Sequence, residues 1–416
     1  MNILDDLRWR GLLHDSTDPD ALHEHLNGRV TFYVGFDPTA PSLHVGHLTQ
    51  VITARRLQLA GHRPLLLVGG ATGQIGDPRE TSERSLNSPE VVAGWVENIR
   101  NQVAPFVTYD GDNAAQVVNN LDWTGPTSAI DFLRDVGKHF SVNRMLAREV
   151  VKARLETGIS FTEFAYQLLQ SNDFYELHRR HGCTLQFGGS DQWGNITAGV
   201  DFIRRKGAGP VHAFSTPLVT TADGAKIGKS EGNGTWLDRE LTSPYAFYQH
   251  WFNTDDKMVG LYLRRFSFRG HEEIEDLEKQ TADRPAARAA QRALAEELTA
   301  LVHGREELDQ AVAASQALFG RAELADLNAS TLAAALSEAG LTTVEGETPS
   351  VAALFKESGL AKSLSDARRA VAEGGAYVNN VRVTDPEATL SGDGLLHGRY
   401  AVLRRGKRNI AGVEVR

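Results

Sequence analysis

The sequence predicts an α/β protein built on a doubly wound parallel sheet with a helical insertion, followed by an α-helical domain and a small α+β domain. Three observations carry this. Residues 30–34 are an apolar run that passes through a Gly/Pro-rich turn into apolar residues at helical spacing from Leu48, the order strand, loop, helix. Residues 64–68 are apolar throughout, as a strand covered on both faces must be. Beyond the glycine-rich stretch 221–234 the composition shifts, over 244–319, to alanine, leucine and charged residues, and the chain ends in a short basic segment. The pattern gives a Rossmann-like domain at 1–222 with an insertion near 125–160, a mobile lysine loop and helical domain at 223–340, and a small domain at 350–416.

Residues 4–26 read as one amphipathic helix and lead into the first strand. The turn after it ends in His44-Val45-Gly46-His47, at the entrance of the next helix. Such an entrance presents unpaired N–H groups and a positive dipole end, and Gly46 lets a phosphate come close to the backbone. His44 and His47 flank it, each able to donate a hydrogen bond to a phosphate or ribose oxygen while neutral, or to carry charge if protonated. On its own, His-x-Gly-His is also what two capping histidines look like.

The strand at 64–68 is followed by a glycine-rich loop, 69–78, at the strand end where open α/β sheets bind ligands. Residues 88–107 have helical spacing, and two further helices are expected within 132–156. The second half of the sheet begins at 185–187 and continues through Gly188, Gly189, Ser190, Asp191, Gln192 into a helix ending at Arg205, with another strand within 211–219. Residues 221–234 are too rich in glycine and polar groups for a regular element and read as a mobile loop. Residues 244–319 are mostly helical, and 341–350 reads as a linker. A helix over 365–373, capped by Ser365 and stopped by Gly374-Gly375, precedes a tight hairpin turning at Asn379-Asn380.

At 41% hydrophobic and 23% charged residues, the 416-residue chain has the make-up of an ordinary globular protein of two to four domains. The single cysteine, Cys183, excludes an internal disulfide and fits a small buried residue opening a strand in a reducing compartment. The amino terminus is acidic without an apolar core, and no apolar run is long enough to span a bilayer, so a cytoplasmic protein is expected. The net charge of −9 is uneven. Residues 350–416 hold 11 Lys plus Arg against 7 Asp plus Glu, a net +4, which leaves −13 on the remainder and points to a local polyanion contact such as RNA.

Lys226-Ile227-Gly228-Lys229-Ser230 ends like a P-loop, but the glycine that motif needs at position 223 is Asp, and Glu231-Gly232-Asn233-Gly234 opens no helix. The P-loop reading fails. Two lysines three apart on a glycine-flanked loop can instead close over a triphosphate and neutralise departing pyrophosphate.

With the histidine motif in the first sheet half and the lysine motif after the second, the chain resembles the class I aminoacyl-tRNA synthetases, and within them the bacterial tyrosyl-tRNA synthetases. The matching stretches include residues 33–39, 68–73, 76–78, 161–166 and 186–195, and the likeness covers essentially the whole chain. The resemblance implies that tyrosine carboxylate attacks the α-phosphorus of ATP, that Mg²⁺ arrives on the ATP phosphates without a protein ligand, and that tyrosine then passes to its tRNA. It further implies catalytic roles for His44, His47, Lys226, Lys229 and Ser230. Tyr33 and Asp173 are assigned to the substrate phenol, Asp77, Tyr166 and Gln170 to its ammonium group, with Gln192 in the same pocket. Asp37, Gly46, Gly189, Asp191 and Lys229 are assigned to ATP. Tyr166, Gln170 and Asp173 are spaced to share one helix stripe, which by itself fits the wet face of any amphipathic helix. The small terminal domain resembles a ribosomal RNA-binding module, implying tRNA contacts from Arg368, Arg369, Arg404 and Arg405, with Arg84 in the loop after Pro78. The family pattern also implies a homodimer, with the interface near 132–145.

Two other readings fit parts of this. A different nucleotidyltransferase could share the histidine motif, but would not need the helical and basic carboxyl-terminal domains. A non-catalytic RNA-binding relative would be expected to have lost a lysine or histidine of the two motifs, and none is missing. Tryptophan is the nearest rival substrate, against which Tyr33 with Asp173 favours a phenol.

Overall fold

The computed structural model describes residues 2–78, 86–225, 227, 234–319, 322–346, 349–390, 392–406 and 409–416. It divides into two compact units, Met1–Asp238 with Asp255–Pro285, and Arg239–Thr254 with Ala286–Arg416.

The first unit is organised by five parallel strands, β1 (Thr31–Phe36), β2 (Arg63–Val68), β3 (Gln116–Asn119), β4 (Cys183–Gly189) and β5 (His212–Thr216), in the order β3-β2-β1-β4-β5. β2 has five of its six residues buried, which is why it reads as a continuous apolar run. The chain winds outward from β1 to β2 and β3, then crosses back to β4, so the carboxyl ends of β1 and β4 form the crevice where the winding reverses. Tyr33, Leu65, Leu67, Val118, Phe174, Leu177, Cys183 and Ile203 pack together on one sheet face. Cys183 is fully buried at the start of β4, as expected of a small apolar residue.

Six helices bear on the site: α1 (Ile3–Trp9), α2 (Pro19–His25), α3 (Leu48–Leu59), α4 (Pro89–Val103), α5 (Phe161–His181) and α6 (Trp193–Arg205). The single helix expected over 4–26 is two, because Gly11 takes a left-handed backbone (φ +67°) and Asp18 caps a new start. Between β3 and α5 the insertion folds as short helices, among them Ala129–Asp135, Val142–Leu146 and Glu149–Lys152. Helices Asp256–Phe266 and His271–Asp283, which composition groups with the helical domain, belong to the first unit. Their spacing declares an apolar face, but says nothing of the partner that covers it.

The second unit combines helices with a sheet of order β6-β10-β9-β7-β8, formed by β6 (Leu341–Val344), β7 (Ala376–Val378), β8 (Val381–Arg382), β9 (Tyr400–Arg405) and β10 (Asn409–Val415). The stretch read as a linker therefore begins with a strand, paired in parallel with β10. The helix at Leu364–Ala372 is capped by Ser363 rather than Ser365. The β7–β8 hairpin turns as expected, with Asn379 (φ 47°) and Asn380 (φ 65°) both left-handed.

Candidate active site

The carboxyl ends of β1, β2 and β4 and the inner face of α5 bring most of the expected residues together. At one end is Asp173, 2% exposed, on α5. Its Oδ1 accepts from Trp123 Nε1 at 2.8 Å and its Oδ2 from Asn120 Nδ2 at 3.0 Å. The same Asn120 amide donates to Thr72 Oγ1 at 2.9 Å, Thr72 donates to Asp37 Oδ1 at 2.6 Å, and Tyr166 donates to Asp37 Oδ2 at 2.6 Å. Asp173 and Tyr166 are thus ends of one largely buried polar chain through Asn120, Thr72 and Asp37. Burial, with the charges of Asp37 and Asp77 adding, pushes the Tyr166 hydroxyl well up, so it remains a donor.

Burial pushes the Asp173 carboxyl up to about 7 against the two hydrogen bonds it accepts. Burial, reinforced by the Asp173 charge, also raises the Tyr33 hydroxyl well above its ordinary value. Tyr33 and Gln186 are register partners on β1 and β4, and the Tyr33 hydroxyl and Gln186 Oε1 are buried without hydrogen-bond partners. Gln170 Oε1 is in the same condition. A buried polar atom left unmatched costs about 1–3 kcal/mol, which makes these three, on β1, β4 and α5, candidates for contact with a ligand. Across the crevice, Asp77 accepts from Gln192 Nε2 at 2.7 Å and Asn195 Nδ2 at 3.2 Å. Gly189 ends β4 so close to Asp191 that an added Cβ would lie 2.6 Å from its Oδ1.

The histidine motif forms a short 3₁₀ turn, Val45–His47, running into α3. It is a reciprocal cap: the Gly46 N–H donates to His44 Nδ1 at 3.1 Å and the His44 N–H donates to His47 Nδ1 at 3.1 Å. Each Nδ1 is an acceptor, so the proton of each neutral ring sits on Nε2, where it can be donated. The Val45 N–H donates to Thr235 O and the His47 N–H to His44 O. Four successive N–H groups are therefore engaged within the protein, where unpaired ones were expected from a helix entrance. Gly46 is required by space: a Cβ would fall 2.8 Å from His44 Cε1 and 2.9 Å from the carbonyl oxygen of Ile227.

That carbonyl belongs to the residue between the two lysines. Lys226, Lys229 and Ser230 lie outside the described residues, as does Arg84. Their neighbours are placed: Ile227 lies against Gly46, and 235–237 pairs with the histidine turn through Thr235 O and Leu237 N–H, the latter donating to Leu43 O. Ile227 and residues 235–237 therefore meet residues 43–46.

In the second unit, Arg368 pairs with Glu387 at 2.8 Å and Arg369 with Asp366 at 2.8 Å, both with side chains more than half exposed. Arg404 lies over the Tyr377 ring at 4.1 Å. Arg405 donates twice to Asp366, at 2.8 and 2.9 Å, and once to Leu360 O, so it braces the fold. Asn120, Trp123, Thr72, Gln186 and Asn195 are site residues that the sequence reading missed. The first two follow β3, a four-residue strand with too little apolar pattern to be seen. A separate cavity of about 540 Å³, lined by Arg29, Arg55, Gln58 and Asp112 among others, contains none of these residues.

Fold and site together define a class I aminoacyl-tRNA synthetase, and the comparisons agree. The chain matches the family of class I tRNA synthetases of the tryptophan and tyrosine kind over residues 25–320, and the tyrosine–tRNA ligase carboxyl-terminal domain family over 332–412. It is 62% identical over 418 residues to the tyrosine–tRNA ligase of Streptomyces coelicolor, covering 100% of this chain and 99% of that one, and 58% identical to that of Thermobifida fusca, covering 100% of each. Among solved structures it is similar to a C-terminally truncated mitochondrial tyrosyl-tRNA synthetase of Aspergillus nidulans, at 32% identity and a TM-score of 0.70, covering 76% of this chain and 94% of that one. The chain belongs to the tyrosine–tRNA ligase family.

Proposed function

We propose that the protein activates L-tyrosine with ATP to tyrosyl-adenylate and then transfers tyrosine to the terminal ribose of its tRNA. The observation that carries this is the set of unmatched polar atoms on Tyr33, Gln170 and Gln186 beside Asp173, a socket for a phenol and an amine at the crevice that ends at the histidine turn. In the first step a tyrosine carboxylate oxygen bonds to the α-phosphorus, and the bond from that phosphorus to the oxygen bridging to the β-phosphate breaks. The carboxylate is already ionised at neutral pH, so no protein nucleophile is needed. Catalysis rests on alignment and on donors placed for charge growing on the phosphates. His44 and His47 supply Nε2–H donors, Lys226 and Lys229 with Ser230 supply the rest, and Asp37, Asp191, Gln192 and Gly189 bound the adenylate. Mg²⁺ enters with ATP on its phosphates. In the second step the tRNA ribose hydroxyl attacks the activated carbonyl and AMP leaves.

Pyrophosphate exchange with the purified protein across the twenty amino acids tests the assignment, and exchange driven by tryptophan or by none of them defeats it. Lys229→Ala is expected to slow adenylate formation by about a hundredfold or more with tyrosine affinity nearly unchanged, measured by stopped-flow fluorescence. Equal losses in both would assign the lysine to ground-state binding.

The second unit is our proposed grip on tRNA, supported by its net positive terminal segment and by the exposure of Arg368 and Arg369. Changing both to alanine should lower kcat/KM for tRNA about tenfold and flatten its salt dependence, while leaving pyrophosphate exchange untouched. These substitutions are cleaner than removing 350–416, which would strip β6 of its partner strand. A homodimer is part of the proposal: Ile130, Leu133, Val142, Leu155 and Phe161 are large apolar side chains more than half exposed, in and beside the insertion. A cytoplasmic site of action is proposed on the single buried cysteine. Among the described residues no helix is long and apolar enough to cross a membrane.

A further inference from the structure

Helix Asp256–Phe266, in the first unit, buries Val259, Tyr262, Leu263 and Phe266. Two of its side chains reach the chain that leads into the lysine segment. The Tyr262 hydroxyl donates to the Thr220 carbonyl at 2.7 Å, and Arg265 donates to the Leu218 carbonyl at 3.4 Å. The carbonyl between them, on Val219, accepts from the Ile227 N–H at 2.7 Å. Three successive carbonyls at the foot of the segment are thus held, and Ile227 is delivered to its place 2.9 Å from where a Cβ of Gly46 would be.

The end of the same helix is fastened to the histidine side of the site. The carbonyl of Ser267 accepts from Arg56, on α3, and from Arg10 at 3.2 Å. Arg10 also donates to the carbonyls of Arg264 and Arg269, both at 3.1 Å. His271, just beyond, stacks on Trp9 with ring centroids 3.6 Å apart and meets Asp6 at 2.8 Å. One helix therefore links the backbone leading to the lysines with the helix that follows the histidine turn.

We propose that Tyr262 and Arg265 are positioning residues for adenylate formation, holding the backbone of 218–220 and, through it, Ile227 against the histidine turn. The physical reason is that a lysine on a glycine-flanked segment can stabilise the transition state only if the backbone that carries it is already in place. A hydrogen bond to a part-buried backbone carbonyl fixes that backbone without touching substrate. Burial pushes the Tyr262 hydroxyl up, so it stays a donor throughout the working pH range. The proposal rests on the reading that the lysines act on the triphosphate, and it makes the two steps of the reaction separable, since pyrophosphate has left before transfer begins.

Tyr262→Phe in the full-length protein tests it, because the ring is retained and only the hydroxyl is lost. The rate of adenylate formation should fall about tenfold, the size of one net hydrogen bond at the barrier. Tyrosine affinity and the rate of transfer from preformed adenylate to tRNA should stay within twofold. In a Lys229→Ala background the Tyr262→Phe effect should shrink clearly below tenfold, because one of the groups being positioned is gone. Arg265→Gln should show the same selectivity for the first step. Slowed transfer, weakened tyrosine binding, or full additivity with Lys229→Ala would overturn the proposal and leave Tyr262 a structural residue. If Lys229→Ala alone leaves adenylate formation unchanged, it is the underlying role of the lysines that fails.

Discussion

Gly46→Ala should reduce the rate of tyrosyl-adenylate formation by about a thousandfold. A Cβ there would meet His44 Cε1 at 2.8 Å and Nδ1 at 2.9 Å on one side, and the Ile227 carbonyl at 2.9 Å on the other. Neither neighbour can yield without cost. Moving the His44 ring breaks the bond from Gly46 N–H and with it the reciprocal cap that orients both imidazoles. Moving Ile227 displaces the backbone between the two lysines. Losing aligned donors on both sides of the triphosphate combines two effects that are each worth about two orders of magnitude or more in comparable sites, and overlap between them brings the sum down. Single-turnover formation of the adenylate, followed by quenched flow with radiolabelled ATP, measures it. A loss under tenfold would mean that the turn relaxes easily and that the glycine is incidental.

Asp173→Ala should lower kcat/KM for tyrosine by about a thousandfold. On the proposed assignment of Asp173 to the substrate phenol, the substitution removes a bond worth about 1.5–3 kcal/mol as one to a charged group, and it orphans the buried donors of Trp123 and Asn120. The loss should appear mainly in tyrosine binding, read by equilibrium dialysis, because the phenol lies far along the substrate from the reacting carboxylate. The same residue has a pH signature. A carboxyl raised to about 7 in the folded protein, against 3.8 for its ordinary value, favours folding while protonated. Its stabilising contribution is complete below about 4 and is lost as pH rises through about 7. The thermal midpoint of the ligand-free protein should therefore carry a downward component between those values that Asp173→Asn removes. A pH profile unchanged by the substitution would show that Asp173 is ionised throughout.

What was legible in advance follows from how each feature is encoded. β1 and β2 announce themselves because parallel strands covered on both faces must be apolar along their length. β3 is four residues, two of them Gln116 and Asn119, and with it went Asn120 and Trp123, which orient Asp173. β6 reads as a linker because its partner, β10, lies about seventy residues away and a parallel pair leaves no turn signature between its strands. The stripe of Tyr166, Gln170 and Asp173 is visible as spacing, but only the folded chain shows it turned inward onto Asp37 and Asn120. The motif marks Gly46, but only the folded chain shows that the His44 ring and the Ile227 carbonyl also claim the space beside it. Among the terminal arginines, a count of charge could not distinguish Arg405, braced on Asp366, from the exposed Arg368 and Arg369.

Cys183 is fully enclosed at the base of β4, and burial drives its thiol far above the range in which thiolate forms at neutral pH. Maleimide dyes need that thiolate, so the native protein is a silent background for them. A second cysteine placed on an exposed surface would then be labelled alone, allowing a single fluorophore to be paired with one on tRNA without first engineering the natural thiol away.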